Sequence, residues 1–440
     1  MAGAAIAGSV YCAAGSAQTL TDAVAQAIAS HPEVQTAKAN WRAAAETVPQ
    51  ARALFLPSLD VTLGRGREQT DSPGTRASNA GPRTLSRTEA QLNLSQLLFD
   101  GGAASSQLKR EEARAGAAYG QLASIAENVA LRTAQAFFEV MRLRALIELA
   151  QQNVAAHQRT LEQMKRRTEQ GVGRRSDDLQ AEARLALAQS SLTQLRGQLE
   201  LAEAAYRNLT GRPPGRLLRG EAPLAAAPAE ARAAVDQALA NHPAVRAAKL
   251  ELEAAEADRE FARTRYSPRV TLELGASQNR DLDGLPGVNA DRTAMLVLRH
   301  NLFRGGADAA RMREAEARRD EAAARLARVR NDLERDVRQA WEGLASDRAR
   351  LPELQRYAGT SAEVVEVYRG QFAIGQRSLL DVLNAENESF NARGVQITGD
   401  YAVATGVYRL LSGMGRVLES LGLGAAPDAP REEGKGGGSR

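Results

Sequence analysis

The chain is written twice, and that repetition limits the fold more than any other feature does. Ala29-Ser30-His31-Pro32-Glu33-Val34 returns as Ala240-Asn241-His242-Pro243-Ala244-Val245. Leu56-Pro57-Ser58-Leu59 is answered by Ser267-Pro268-Arg269-Val270. Asn93-Leu94-Ser95-Gln96-Leu97-Leu98-Phe99-Asp100-Gly101-Gly102 matches Val297-Leu298-Arg299-His300-Asn301-Leu302-Phe303-Arg304-Gly305-Gly306. Gly171, Asp177 and Ala181-Glu182 then meet Gly375, Asp381 and Ala385-Glu386. Tyr206-Arg207-Asn208-Leu209-Thr210-Gly211 closes the series as Tyr408-Arg409-Leu410-Leu411-Ser412-Gly413. The shared order sets a first repeat over 18–213, a linker over 214–229 and a second repeat over 230–424.

Each repeat reads helix, hairpin, long helix, helix. The first helix is expected from Leu20 to Phe55, interrupted at His31-Pro32, kinked at Pro49 and stopped by Pro57. Leu59, Val61 and Leu63 alternate with Asp60, Thr62 and Gly64, the period of a strand. Ala90, Leu92 and Leu94 alternate in the same way, as do Val270, Leu272, Leu274 and Ala294, Leu296, Leu298. Loops rich in turn formers are expected between them, over Arg67–Ser86 and Asn279–Asp291. Ala103–Gln170 lacks proline and Ala307–Ile374 carries only Pro352, so each predicts one long helix. Shorter helices follow over Ser176–Leu209 and Ser378–Leu411.

Lengths now restrict the architecture. A helix of about 68 residues reaches about 100 Å, and two of about 35 placed end to end match it. Rods of this kind cannot bury an apolar stripe alone and must pack laterally as coiled coils. The composition agrees: aromatic residues are only 4% of the 440, and charged residues make up 25%. The net charge is +4, and signs alternate along the chain, as on salt-bridged helix faces rather than a nucleic-acid footprint. Alternating strands of about ten residues have the length of tilted membrane-spanning strands. Four cannot close, because the smallest bacterial barrels have eight, and an open edge cannot sit in lipid. Either the hairpins lie in water or several chains share one barrel: two would give eight strands, three would give twelve.

The termini and the side-chain chemistry exclude other classes. Ala2 to Thr21 is small and uncharged, with Gly15-Ser16-Ala17-Gln18 resembling a cleavage site. It reads as a signal peptide over 1–17 or as a floppy terminus. Cys12, the single cysteine, rules out an intramolecular disulfide framework, and bulky Tyr11 before it argues against lipidation. His31, His157, His242 and His300 lack the spacing of a helical zinc site. No phosphate loop or nucleophile elbow is present, so neither an enzyme nor a cofactor nor a bound metal is expected. A disordered tail is expected over 425–440.

The doubled plan, the strand ending in Leu98-Phe99-Asp100-Gly101-Gly102 and the turn Gln371-Phe372-Ala373-Ile374-Gly375-Gln376-Arg377-Ser378-Leu379-Leu380-Asp381-Val382-Leu383-Asn384-Ala385-Glu386 together resemble the TolC family of outer-membrane channels. The likeness spans Leu20 to Gly413. It implies an α+β membrane protein: a homotrimer with one twelve-stranded β-barrel in outer-membrane lipid, continued into the periplasm by a long α-helical coiled-coil barrel. It also implies a passive exit duct, with an inner-membrane transporter and a periplasmic adaptor docking at the helical end. Type I secretion of a toxin-like protein is favoured over small-molecule drug efflux. A soluble coiled-coil scaffold is the competing class.

The resemblance directs attention to the two helical turns. Carried over position by position, it places gate or selectivity roles on Phe372, Arg377, Asp381 and Asp177. Asn384 stands where the family has a second aspartate, and Phe372 where it has a tyrosine. Arg377 paired with Asp177 would hold the tip closed, and three copies of Asp381 would form a ring attracting cations. Helix capping is the plainer reading of Ser176-Asp177, Ser378 and Asp381. Gly171 and Gly375 are expected to end the long helices in the left-handed conformation, at turns where the family's adaptor docks. Phe99 and Phe303 with their Gly-Gly pairs are expected to end strands, His31 and His242 to form turns, and Phe137, Phe138 and Trp341 to be core.

Overall fold

A computed structural model describes residues 17–77, 81–220 and 222–424. Most of the proposed signal segment, Cys12 included, and the tail over 425–440 lie outside the described residues. The first repeat runs α1 (Leu20–Ser30), α2 (Pro32–Ala45), α3 (Thr47–Ala53), β1 (Ser58–Thr70), α4 (Pro73–Ala77) and β2 (Arg83–Phe99). It continues with α5 (Ala103–Glu169) and α6 (Arg175–Thr210). The second runs α7 (Ala231–Asn241), α8 (Pro243–Arg263), β3 (Arg269–Arg280), β4 (Val288–Arg299), α9 (Ala307–Ala373), α10 (Leu379–Gly413) and the short α11 (Val417–Ser420). No helix among the described residues is long and apolar enough to cross a membrane.

Two compact units cut across the repeats. Of the described residues, unit 1 takes those within 17–38, 121–245 and 329–424, and unit 2 those within 39–120 and 246–328. Each repeat contributes to both, so neither repeat is a separate body.

Unit 2 contains the sheet, antiparallel in the order β1-β2-β3-β4. Residues directly opposite share a face, so the register sorts the side chains. One row reads Leu59, Leu94, Leu274, Ala294, and the next Val61, Leu92, Ala276 and, on β4, the single charged Arg292. Leu272 opposite Leu296 and Val270 opposite Leu298 extend this apolar face. The other face carries Asp60, Asn93, Gly275 and Thr293, and Thr62, Gln91, Ser277 and Asp291. In one chain the apolar face is bare: Leu63 is 76% exposed and Leu296 68%. An exposed aromatic stands at the same end of every strand: Phe55 before β1, Phe99 closing β2, Tyr266 before β3 and Phe303 after β4. At that end Gly101 and Gly102, and Gly305 and Gly306, adopt positive φ and turn the chain into α5 and α9.

The hairpins outrun their expected lengths. The Arg67–Ser86 loop is partly strand, with β1 continuing to Thr70 and β2 beginning at Arg83 around the small α4. Likewise β3 reaches Arg280 and β4 starts at Val288, inside the expected Asn279–Asp291 loop. Arg65, Thr88 and Arg280, or Arg67 and Ser86, have no apolar alternation to reveal them. A strand needs only backbone pairing once both its faces are polar. The first helix differs too: it is three helices, broken at His31 and again at Glu46, three residues before Pro49, and it ends at Ala53. Proline cannot donate to the preceding turn and clashes with it, so the break falls upstream of the ring.

Unit 1 is helical. His31 and His242 cap α1 and α7, and each Nδ1 accepts a backbone N–H two residues on, from Glu33 at 3.3 Å and Ala244 at 3.1 Å. The core gathers Val24, Leu122, Val129, Phe137, Val140, Tyr206, Leu410 and Met414, all fully buried. Phe138 packs on Tyr408, ring centroids 5.6 Å apart, and Trp341 donates its indole N–H to Pro228 at 3.1 Å. Along α9 the alternating charges pair within the helix, as in Glu334 with Arg338 and Glu353 with Arg356. Such pairs contribute a few tenths of a kcal/mol each.

Candidate functional site

The two turns are built alike. Gly171 and Gly375 take φ of 78° and 80°, as expected of left-handed terminators. Around Gly171, Val172 N–H bonds Arg167 O at 3.0 Å while Gly171 N–H bonds Thr168 O at 3.0 Å. Around Gly375, Gln376 N–H bonds Gln371 O at 2.9 Å and Gly375 N–H bonds Phe372 O at 3.0 Å. Each long helix therefore ends in a Schellman motif that satisfies its last carbonyls.

The following helices start differently. Ser378 caps α10: its Oγ accepts Asp381 N–H at 3.2 Å, and Asp381 Oδ2 accepts Ser378 N–H at 3.2 Å and Oγ–H at 2.8 Å. This reciprocal capping box holds the Asp381 carboxyl below the usual range, chiefly through the Ser378 hydroxyl. Ser176 does not cap α6. The helix begins one residue earlier, behind Arg174, which makes no side-chain cap. Thr168 instead donates to Asp178 at 3.1 Å, tying the end of α5 to the first turn of α6.

An apolar cluster joins the hairpin of one repeat to the helix of the other. Leu161 and Met164 of α5, Ala181 and Leu185 of α6, and Leu379 and Leu383 of α10 are buried together, with Phe372 packed against them. Two polar contacts follow the same seam. The Arg167 guanidinium lies 5.1 Å from the Phe372 ring, and Arg184 donates to Asn384 Oδ1 at 3.1 Å. Phe372 and Asn384 are thereby tied to the first repeat. Arg377 is not. It stacks on Tyr368 at 4.2 Å, donates Nε to Gln371 at 3.0 Å and lies 4.0 Å from Asp381 Oδ2. The expected link from Arg377 to Asp177 is not made within one chain among the described residues. Arg377 is engaged by its own turn, and Asp177 accepts from Ser176 at 3.4 Å.

Arg167, Arg184 and Tyr368 carry no signal in the sequence, and the sequence gives the buried pair His157 and Glu386 no role at the turns. Glu386 had a signal: it falls in helical phase with Leu379, Val382 and Leu383, a charged residue on a core stripe.

The comparison with known families bears on the whole chain. The model of the outer membrane efflux protein family matches residues 23–212 and 234–416. The chain belongs to the outer membrane efflux protein family. Outer membrane efflux protein BepC of Brucella suis biovar 1 is 27% identical over 95% of this chain and 90% of its own. Alkaline protease secretion protein AprF of Pseudomonas aeruginosa is 27% identical over 85% of this chain and 79% of its own. The solved structure of outer membrane protein VceC from Vibrio cholerae has a TM-score of 0.76, at 20% identity, covering 90% of this chain and 96% of that one. The fold is that of the TolC-like channels, and the protein is an outer membrane channel for efflux or secretion. TolC-like channels work with periplasmic adaptors and inner-membrane transporters in tripartite systems. The soluble scaffold reading is set aside by this outer-membrane placement.

Proposed function

We propose that three copies of this outer membrane efflux protein build one duct. The observation that carries the reading is the bare apolar face of the sheet, backed by a polar face and bounded by two edge strands, β1 and β4, without partners among the described residues. An open edge has unpaired backbone groups, which lipid cannot satisfy. Edge β1 of one copy pairing with edge β4 of the next removes every open edge at twelve strands, with leucines toward lipid and Asn93, Gln91 and Thr62 toward a watery lumen. The exposed aromatics at the strand ends supply an interfacial girdle.

The helical end carries the gate. Phe372, Arg377, Asp381, Asn384 and Asp177 line or hold the entrance, and the turns at Gly171 and Gly375 receive the adaptor. Asp381 copies gather near the symmetry axis and favour cations. Arg377, held by its own turn in one chain, reaches Asp177 across a protomer boundary in the closed trimer. The cargo is a protein exported with an inner-membrane transporter, a reading supported by the relative named for alkaline protease secretion. The relative BepC, named for efflux, favours the second reading of small-molecule export. Deleting the gene separates them: loss of a secreted protein with unchanged drug tolerance supports the first, and drug sensitivity with normal secretion refutes it.

A further inference from the structure

Beneath the turns, unit 1 buries a charged cluster that neither the gate nor the capping uses. Glu386 of α10 is 6% exposed and His157 of α5 is 3% exposed. Arg369 of α9 donates Nε and Nη2 to Glu386 Oε1, at 3.1 and 2.8 Å. The other carboxylate oxygen, Oε2, has no hydrogen-bond partner, and neither has His157 Nδ1. These two atoms face each other at 3.7 Å. That is too long for a hydrogen bond and too close to ignore. Helices from both repeats thus converge on one buried carboxylate.

The surroundings decide what a proton does there. Arg184 of α6 and Arg369 of α9 both face His157, and Glu386 is its acidic neighbour. Arg369 also binds Glu366 on its own helix, while Arg159 of α5 and Arg393 of α10 line the adjoining groove. A carboxylate already engaged by a guanidinium has less attraction to offer a second cation. Burial holds the imidazole below its ordinary value; Glu386 opposes this, and Arg184 and Arg369 reinforce it. A depressed value in the packed state means the packing favours neutral histidine. The stabilisation is therefore present above the ordinary histidine value and is lost as pH falls below it, through the lowered value of the packed state.

We propose that His157 and Glu386 are positioning residues for the gate: packed between α5 and α10, they hold the two turns together, and protonation of His157 lets the turns separate. This rests on reading the turns as the gated end of the duct. Acid entering the periplasm would open the tip without any change at Arg377 or Asp381.

The test uses the full-length protein with spin labels on Val172→Cys and Ile374→Cys, both exposed at the turns, and Cys12 replaced by serine. Electron-spin distances are read in detergent between about pH 8 and pH 5, spanning the histidine range. The distance should lengthen in acid for the parent protein and lose that response in His157→Gln. In Glu386→Gln the response should shift to lower pH, since the one group favouring the imidazolium is gone. A distance that does not change with pH in the parent protein, or changes equally in both variants, overturns the proposal. Planar-bilayer conductance of the same samples tests the duct separately. A distance response without any channel refutes the duct and leaves the latch, whereas channels with a fixed distance refute the latch alone.

Discussion

Replacing Glu127 with glutamine should flatten the pH dependence with which the C-terminal segment holds to α5. Glu127 is 6% exposed, and its carboxylate accepts Val417 N–H at 2.9 Å and Leu418 N–H at 3.3 Å. It thereby caps α11, whose Val417 and Leu418 are buried beside Met414. Burial pushes the carboxyl up to about 7, although both backbone donors pull it down. Measured from the ordinary 4.5, at about 1.36 kcal/mol for each pH unit, that is worth roughly 3 kcal/mol. Because the folded value is raised, the stabilisation is complete below the ordinary value and is lost as pH rises through about 7. Amide exchange at Val417 and Leu418, corrected for intrinsic rates, reads this directly. Protection should fall by up to roughly a hundredfold between about pH 5 and pH 8 in the parent protein. It should stay level in Glu127→Gln. An equal fall in both proteins would refute the argument, because the buried carboxylate would then not be the source.

Other expectations follow from the same geometry. Leu63→Arg, on the apolar face, should cost about 2–4 kcal/mol of barrel stability and reduce assembly into outer membranes, while Thr62→Lys on the other face should assemble normally. Equal yields of the two would remove the assignment of faces. Ser378→Ala should take the cap from α10, about 1 kcal/mol, and speed proteolysis at the turn. Arg377→Ser should raise single-channel conductance, and an unchanged value would count against its latch role. Asp381→Ala should weaken cation preference in reversal-potential measurements, and a preserved preference would remove the carboxylate ring.

α5 is readable because nothing in Ala103–Glu169 breaks it, α9 runs on through its one Pro352, and a glycine stands just past each. The apolar rows of the sheet were readable for a related reason: burial or lipid on one face writes a period of two into Leu59, Val61 and Leu63. The polar ends of the same strands were hidden, since Arg67 and Ser86 pair through backbone alone. At the turns, Ser378 and Asp381 stood three residues apart, as a capping box requires, and were legible as caps. The partners of Phe372 and Asn384 were not, because Arg167 and Arg184 lie about 200 positions away and only packing brings them close. Arg377 differs in the opposite way within one chain. Its partners, Tyr368 and Gln371, are local, whereas the resemblance pointed to a distant aspartate.

In the proposed duct the four-stranded sheet, its two edges unpaired among the described residues, is a third of a closed cylinder. Protein mass in the detergent-extracted particle, measured by light scattering with the detergent contribution removed, tests it most directly. Three chains of 47.0 kDa per particle is the expected result. A particle holding one chain, its leucine face bare and its edges unpaired, would contradict it.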